Sequence, residues 1–326
     1  MSEKNIPVVF ATDENYVVPT YVAAYSMLKN AKLEWNFDIY VMIPDSMPEK
    51  GKNVLSKLEE VRDNCKVNFL NMKNAFQNVE MQISYITPAT YYRLLLPELL
   101  PQYDKCLYLD SDIIVVGDVS EIYDAQKQDV WLTGVVAGNP ALSSLKGQER
   151  LVHSRKLGIN TIDTYVNAGV LVFNLKAMRD YDLVKAFMDR VPMKYPYQDQ
   201  DILNAVCFEH IQFADRKYNV CPLNGLTPDS ERNLTKSEIE VINSAYKSPA
   251  IVHYAQPQKP WLSRSFPMAS YWWKYYDAID PKFREEYLDE FIRKNRKNAV
   301  KVRIKHSKLV MGTWQPQKPW LSRSFP

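Results

Sequence analysis

Short, uninterrupted apolar runs alternate with longer amphipathic stretches over the first third of the chain. Residues 6–12 (IPVVFAT) and 37–43 (FDIYVMI) are such runs, and their continuity predicts strands buried on both faces. A helix is predicted between them over 20–29. Asp45, Ser46 and Pro48 then read as a cap and first-turn proline. The helix that follows places Val54, Leu55, Leu58 and Val61 on one face, and residues 67–70 form a third short strand. Strand, helix, strand, helix, strand at this spacing predicts an α/β fold with a parallel sheet and crossover helices.

Further along, CLYL at 106–109 is another buried strand, and it runs directly into Asp110-Ser111-Asp112. Carboxylates at the C-terminal end of such a strand lie where open α/β sheets bind ligands. Residues 170–173 read as strand, 200–208 as helix and 251–253 as a last short strand. No linker interrupts the chain before about residue 268, so 1–267 reads as one catalytic domain. The remainder, 268–326, reads as an extension that is first aromatic (Tyr271, Trp272, Trp273, Tyr275, Tyr276) and then basic.

Composition narrows the function. Among 326 residues there are only 9 Gly, and neither GxxxxGK[ST] nor GxGxxG occurs, which argues against P-loop nucleotidases and Rossmann dehydrogenases. The N-terminal apolar run is too short and too poorly flanked for a signal peptide, and no run approaches a membrane span. Cys65, Cys106, Cys207 and Cys221 stand singly, which predicts buried thiols in a reducing, cytoplasmic setting and neither a disulfide frame nor a zinc site. Net charge is +3, yet Arg293, Lys294, Arg296, Lys297, Lys301, Arg303, Lys305 and Lys308 stand together without an acid. The rest of the chain is therefore acidic, and segment 293–308 reads as a patch for an anionic surface.

Two carboxylates at i and i+2 on a turn can reach one divalent cation, and hard oxygen ligands suit Mg²⁺ or Mn²⁺. The haloacid-dehalogenase phosphatases also place Asp-x-Asp after a strand, but with Thr or Val two residues beyond the second Asp, where Ile114 stands here. The other motifs each have an ordinary reading when taken alone. Asn167-Ala168-Gly169 is a turn, Gln198-Asp199-Gln200-Asp201 a helix start with acids suited to its dipole, Lys259-Pro260-Trp261 a rigid loop, and His253 a core histidine.

Taken together and in order, these motifs carry more. With Phe10-Ala11-Thr12-Asp13-Glu14-Asn15-Tyr16 and Tyr91-Tyr92-Arg93-Leu94, they make the sequence resemble glycosyltransferase family 8 over roughly residues 5–262. That family includes glycogenin and bacterial lipopolysaccharide galactosyl- and glucosyltransferases. The resemblance implies a single Rossmann-like GT-A domain with a mixed, mainly parallel sheet. It implies a retaining transfer of a hexose from UDP-glucose or UDP-galactose to a hydroxyl of a cell-envelope glycan, glycolipid or glycoprotein. It puts Asp110, Asp112 and His253 on Mn²⁺, with Mg²⁺ as the alternative, and Ala11, Asp13 and Asn15 around uridine. Arg93, Ser111 and Asn167 would contact the donor, Lys259 its diphosphate, and Asp199 and Gln200 would lie at the reacting sugar. Because a ligating imidazole must be neutral, activity is expected to fall below about pH 6.

Two departures from the family stand out. Gln256 sits where many members have a glycine three residues after the histidine, and 135–141 (VVAGNPA) lacks the acid that relatives often carry. The basic segment and the preceding aromatics are expected to dock reversibly on an anionic membrane at its cytoplasmic face; no nucleic acid partner is expected. A binding module with a vestigial site is the reading from another class. Residues 256–267 (QPQKPWLSRSFP) recur identically at 315–326, and no second active site is assigned to the copy.

Overall fold

The structure is a computed structural model, and it describes residues 4–73, 75–82, 87–137, 148–222 and 235–295. Three parallel strands, β1 (Lys4–Ala11), β2 (Trp35–Ile43) and β3 (Cys65–Asn71), form one half of the main sheet. The fourth strand, β4 (Cys106–Leu109), joins the free edge of β1 in the same direction. A short strand β5 (Ile113–Val115) lies apart, while β6 (Leu132–Val136) and β7 (Val166–Phe173) extend the sheet. The strand β8 (Ile211–Phe213) completes the order β3-β2-β1-β4-β7-β6-β8, and β9 (Ile251–His253) pairs with β5. Among the described strands of this seven-stranded sheet only β7 runs against its neighbours, so the sheet is mixed and mainly parallel.

Continuous burial in β1 follows from cover on both faces. Ile6, Val8 and Phe10 enter one core cluster and Val9 the other. Helix α1 (Val17–Asn30) is buried nearly all round, because β5, helix α2 (Glu49–Ser56) and helix α6 (Ala269–Ala278) pack on its outer side. Before α2 the sequence expectation fails: Pro48 is extended at the cap position and no side chain caps the helix. Asp45 instead accepts a 2.9 Å bond from Asn71 Nδ2. All four cysteines are buried free thiols.

Helix α6 corrects a second expectation. Trp272, Trp273, Tyr275 and Tyr276 are buried, with Trp272 stacked on Tyr276 at 5.0 Å and edge-on to Trp273 at 4.9 Å. These rings close the core over α1 and are not available to a bilayer, because spacing of i, i+3 and i+4 puts Trp272, Tyr275 and Tyr276 on one helix face. Of the basic segment 293–308, only Arg293 and Lys294 fall within the described residues, where both are exposed. The remaining bases and the repeat at 315–326 lie outside them. No described helix is long and apolar enough to cross a membrane.

Candidate active site

Strand order dictates where the cleft forms. The connection after β1 leads to β2 on one side, while β4 lies on the other, so the loops after β1 and β4 part and leave a crevice at their C-terminal ends. Because β7 is antiparallel to β4, its N-terminal residues reach the same end, and Asp110 N–H donates to Gly169 O at 2.8 Å. The result is a cleft of about 330 Å³. Ala11, Asp13, Arg93, Asp110, Ser111, Asp112, Asn167, Asp199, Gln200, His253, Gln256 and Lys259 all line it.

Asp110, Asp112 and His253 converge, each offering a ligand atom within 4.8 Å of the others. The β5–β9 pair brings them together by register, since Ile113 lies opposite His253 and Tyr254 N–H donates to Asp112 O at 2.9 Å. Gly169 makes the room. A Cβ there would stand 2.3 Å from His253 Cε1 and 2.7 Å from Asp110 Oδ2.

Backbone donors fix the imidazole's orientation. Gly169 N–H donates to Asn167 Oδ1 at 3.0 Å, which also accepts from Asn219 Nδ2 at 2.8 Å. Asn219 therefore turns its oxygen to His253 Nδ1 at 2.9 Å, so Nδ1 carries a proton. His253 Nε2 faces Asp110 Oδ2 at 3.6 Å and Asp112 Oδ1 at 3.3 Å. An imidazole held by a carbonyl at one nitrogen and turned to carboxylates with the other could hold a metal ion at Nε2. Two carboxylates and this imidazole suit a Mn²⁺- or Mg²⁺-type cation.

Among protein groups alone, charges compensate one another. Lys259, buried, donates from Nζ to Asp112 Oδ2 at 2.6 Å and to Tyr254 O at 2.7 Å. Burial would raise the Asp112 carboxyl, but Lys259 and His253 outweigh it and hold it well below the ordinary range. Burial would lower His253, yet Asp112 and the Cys221 thiol outweigh it and push it up to about 10. A proton held this firmly competes with a cation at the imidazole, in the same direction as the expected loss of activity at low pH.

Arg93 is buried under the site. Nη2 donates to Asp110 Oδ1 at 2.8 Å, Nη1 donates to Ala168 O, Nε–H donates to Thr90 O at 3.1 Å, and the guanidinium lies over the Tyr108 ring at 4.2 Å. Its Nε is also 3.1 Å from Asp199 Oδ2, an ion pair. Burial pushes Asp199 up to about 6, against the pull of Arg93 and of the Thr90 hydroxyl donating to Oδ1. The arginine offered by sequence to the donor is thus committed to two cleft carboxylates, a positioning role beside any direct contact.

Residues 7–265 match the model of glycosyl transferase family 8. The chain belongs to glycosyltransferase family 8. It is 30% identical over 262 residues to an Escherichia coli lipopolysaccharide 1,2-glucosyltransferase, covering 76% of this chain and 71% of that one. Similarity to a lipopolysaccharide 1,3-galactosyltransferase of Salmonella typhimurium is 28% over 196 residues, 57% of this chain and 53% of the other. Among solved structures, galactosyltransferase LgtC with donor and acceptor sugar analogs superposes at TM-score 0.69 and 26% identity, over 86% of this chain and 99% of LgtC. The bifunctional glycosyltransferase WbbM gives TM-score 0.75 and 27% identity over 90% of this chain, which spans about half (52%) of WbbM. The fold is therefore the GT-A type of these glycosyltransferases.

The remaining residues of this family 8 chain fall into two sets. Ser111 is turned inward, its hydroxyl donating to Ala11 O at 2.8 Å, so it ties the end of β4 to the end of β1. Asp13, its carboxyl raised mainly by burial, accepts a 2.9 Å bond from Asn15 N–H. Asn15 itself is exposed and is not among the residues lining the cleft, though its backbone N–H holds the Asp13 carboxyl at the cleft edge. Sequence reasoning missed Asn219 and Gly169. An isolated glycine inside a strand signals a close approach, so Gly169 carried a usable sign; Asn219 carried none.

Proposed function

We propose that this family 8 glycosyltransferase moves glucose or galactose from UDP, with retention, to a hydroxyl of a cell-envelope glycan, glycolipid or glycoprotein in a metal-dependent reaction. The observation that carries the reading is the convergence of Asp110, Asp112 and His253 beside Lys259. Asp110, Asp112 and His253 would hold Mn²⁺, or Mg²⁺, which when bound supplies Lewis-acid stabilisation of charge on the diphosphate. Lys259 would leave Asp112 for the diphosphate, and Ala11, Asp13 and Asn15 would surround uridine. Arg93, Ser111 and Asn167 would shape the donor site, with Asp199 and Gln200 at the reacting sugar. Lipopolysaccharide gluco- and galactosyltransferases among the relatives support the hexose and the acceptor class.

In the step proposed, the bond between the anomeric carbon and the β-phosphate oxygen breaks and UDP leaves with the electron pair. The acceptor oxygen bonds to the same face, and its proton passes to the departing phosphate. The catalytic unit would be residues 1–267. The extension, residues 268–326, begins with α6, which is packed on the same core, and its basic segment 293–308 would bind anionic lipid at the cytoplasmic face. Chain truncated before Arg293 is then expected to be lost from sedimented anionic vesicles.

Thermal shift tests the donor reading. UDP, UDP-glucose and UDP-galactose are each added with Mn²⁺ or EDTA to wild type and Asp112→Asn. A ligand at a hundred times its Kd stabilises by about 2.7 kcal/mol, and a Mn²⁺-dependent shift lost in the variant is expected. No shift with any uridine ligand would overturn the reading in favour of a binding module.

A further inference from the structure

We propose that Gln200 serves the cleft as a hydrogen-bond donor, locked in that sense by a buried relay through Tyr165 and Asp201 that ends at His153. Gln200 Oε1 accepts from Ala168 N–H at 3.0 Å and from Asn167 Nδ2 at 3.0 Å. A backbone N–H can only donate, so this contact fixes which end of the amide is oxygen. Both lone pairs of that oxygen are then occupied. An amide oxygen in this state has nothing to offer an anomeric carbon.

The other end of the amide is fixed as firmly. Gln200 Nε2 donates to Tyr165 OH at 3.1 Å, which leaves the Tyr165 proton for Asp201 Oδ1 at 2.7 Å. Asp201, 0% exposed, also accepts from Tyr197 N–H at 2.8 Å and lies 3.0 Å from His153 Nε2. Each donor in this sequence has one acceptor: His153 to Asp201, Tyr165 to Asp201, Gln200 to Tyr165. A second N–H of Gln200 remains, and Gln200 lines the cleft. That proton is the group presented to the substrate, where it suits a sugar hydroxyl or a phosphate oxygen.

His153 comes from helix α3 (Gln148–Leu157), and Asp201 and Gln200 from helix α4 (Gln198–Cys207), so the relay joins two helices to β7. Asn204, one turn further on α4, repeats the clamp. Its Oδ1 accepts from Val166 N–H at 2.8 Å and its Nδ2 donates to Val166 O at 2.9 Å. Tyr165, Asp201 and His153 touch no reacting atom in this scheme. They are positioning residues.

Two measurements decide the inference, and the first does not depend on the proposed transfer reaction. In the full chain, solvent exchange of the Gln200 side-chain amide protons is followed by NMR, with the signal assigned by its loss in Gln200→Ala. One protected and one exchanging proton are expected in wild type. Protection is expected to vanish in Tyr165→Phe and His153→Leu and to persist in His153→Gln, whose Nε2 can reach the position of the imidazole Nε2. Protection unchanged in Tyr165→Phe, or equal in the two His153 variants, would overturn it. The second measurement is kinetic and rests on the transfer reading. Tyr165→Phe should lower kcat about 10-fold, the worth of one hydrogen bond, with donor KM nearly unchanged and no further loss in a Gln200→Ala background. Additive losses would overturn the relay, whereas protected Gln200 protons in a chain that transfers no sugar would overturn only the transfer reading.

Discussion

On one wall of the cleft Asp110, Asp112, His253 and Lys259 hold one another in ion pairs of 2.6 to 3.6 Å. On the other, Asn167 of β7 and Gln200 are uncharged and paired, with Gln200 held to Asn167 and Ala168 at 3.0 Å, while Asn204 behind them ties the same helix to Val166 at 2.8 and 2.9 Å. The two walls are fixed by different means. Charges can be traded for other charges, so the first wall can exchange a lysine ammonium or an imidazole proton for a cation. Amide donors and acceptors that are already paired have no such exchange open to them, so the hydrogen bonds of Gln200 to Asn167, Ala168 and Tyr165 hold the second wall without any charge to trade. On the proposed transfer reading, selection of cation and phosphate would fall to the first wall, and orientation of the sugar to the second.

Removing a charge from the exchangeable wall has the largest expected effect. Asp112→Asn should cost on the order of 10³-fold in kcat/KM, in the range of losing a group that stabilises transition-state charge, and should abolish the Mn²⁺-dependent thermal shift. Retention of that shift would place the cation elsewhere.

Next comes the glycine on which the charged wall depends. In Gly169→Ala the new Cβ would stand 2.3 Å from His253 Cε1 and 2.7 Å from Asp110 Oδ2, so the ring and carboxylate must part. Mn²⁺ affinity by calorimetry should fall about 10- to 100-fold, as when the support of a ligand is removed. An unchanged affinity would mean that Asp110 and His253 separate without cost.

Proton exchange sharpens the comparison further. His253 is pushed from 6.5 up to about 10. A group raised on folding adds stability that is fully present below about pH 6.5 and is lost as pH rises through about 10. Between those limits a cation must displace the proton, so Mn²⁺ binding should release close to one proton and tighten about tenfold per pH unit. Calorimetry at pH 8 in buffers of different ionisation enthalpy counts the protons. No release at pH 8 would show that His253 is already neutral or stays off the metal.

The exchangeable wall was the more legible one in the sequence. Asp110 and Asp112 follow a continuously apolar strand, which local pattern marks as a cation site. His253 ends another strand and reads alone as a core histidine, so its place in the ligand set came only from the resemblance carried by the joint motifs. Arg93 was recognised as functional, but its commitment to Asp110 and Asp199 depends on a contact with β7 that no spacing records. The contacts of the paired wall were opaque for the same reason, although the resemblance had named Asn167 and Gln200. Gln200 meets Ala168 across 32 residues, through an antiparallel strand whose direction the run at 170–173 does not encode. The aromatics at 271–276 misled because composition says how much apolar surface there is and not what covers it; their helical spacing held the answer.

The smallest expected effect lies where the two walls meet. Asn219 touches His253 Nδ1 at 2.9 Å and Asn167 Oδ1 at 2.8 Å, so it belongs to both. Asn219→Ala leaves the imidazole N–H without its acceptor, and Mn²⁺ affinity should weaken about 10-fold. Asn167 keeps its bond from Gly169 N–H at 3.0 Å, so the protected proton of Gln200 should be unaffected. Asn219→Asp separates the contributions, because a carboxylate still accepts from Nδ1 but sets an oxygen against Asn167 Oδ1. Metal affinity should then recover while the Asn167 contact is lost. If the alanine variant instead disturbs Gln200 and spares the metal, the walls are coupled through Asn167, and the division of labour between charge exchange and fixed amides fails at that residue.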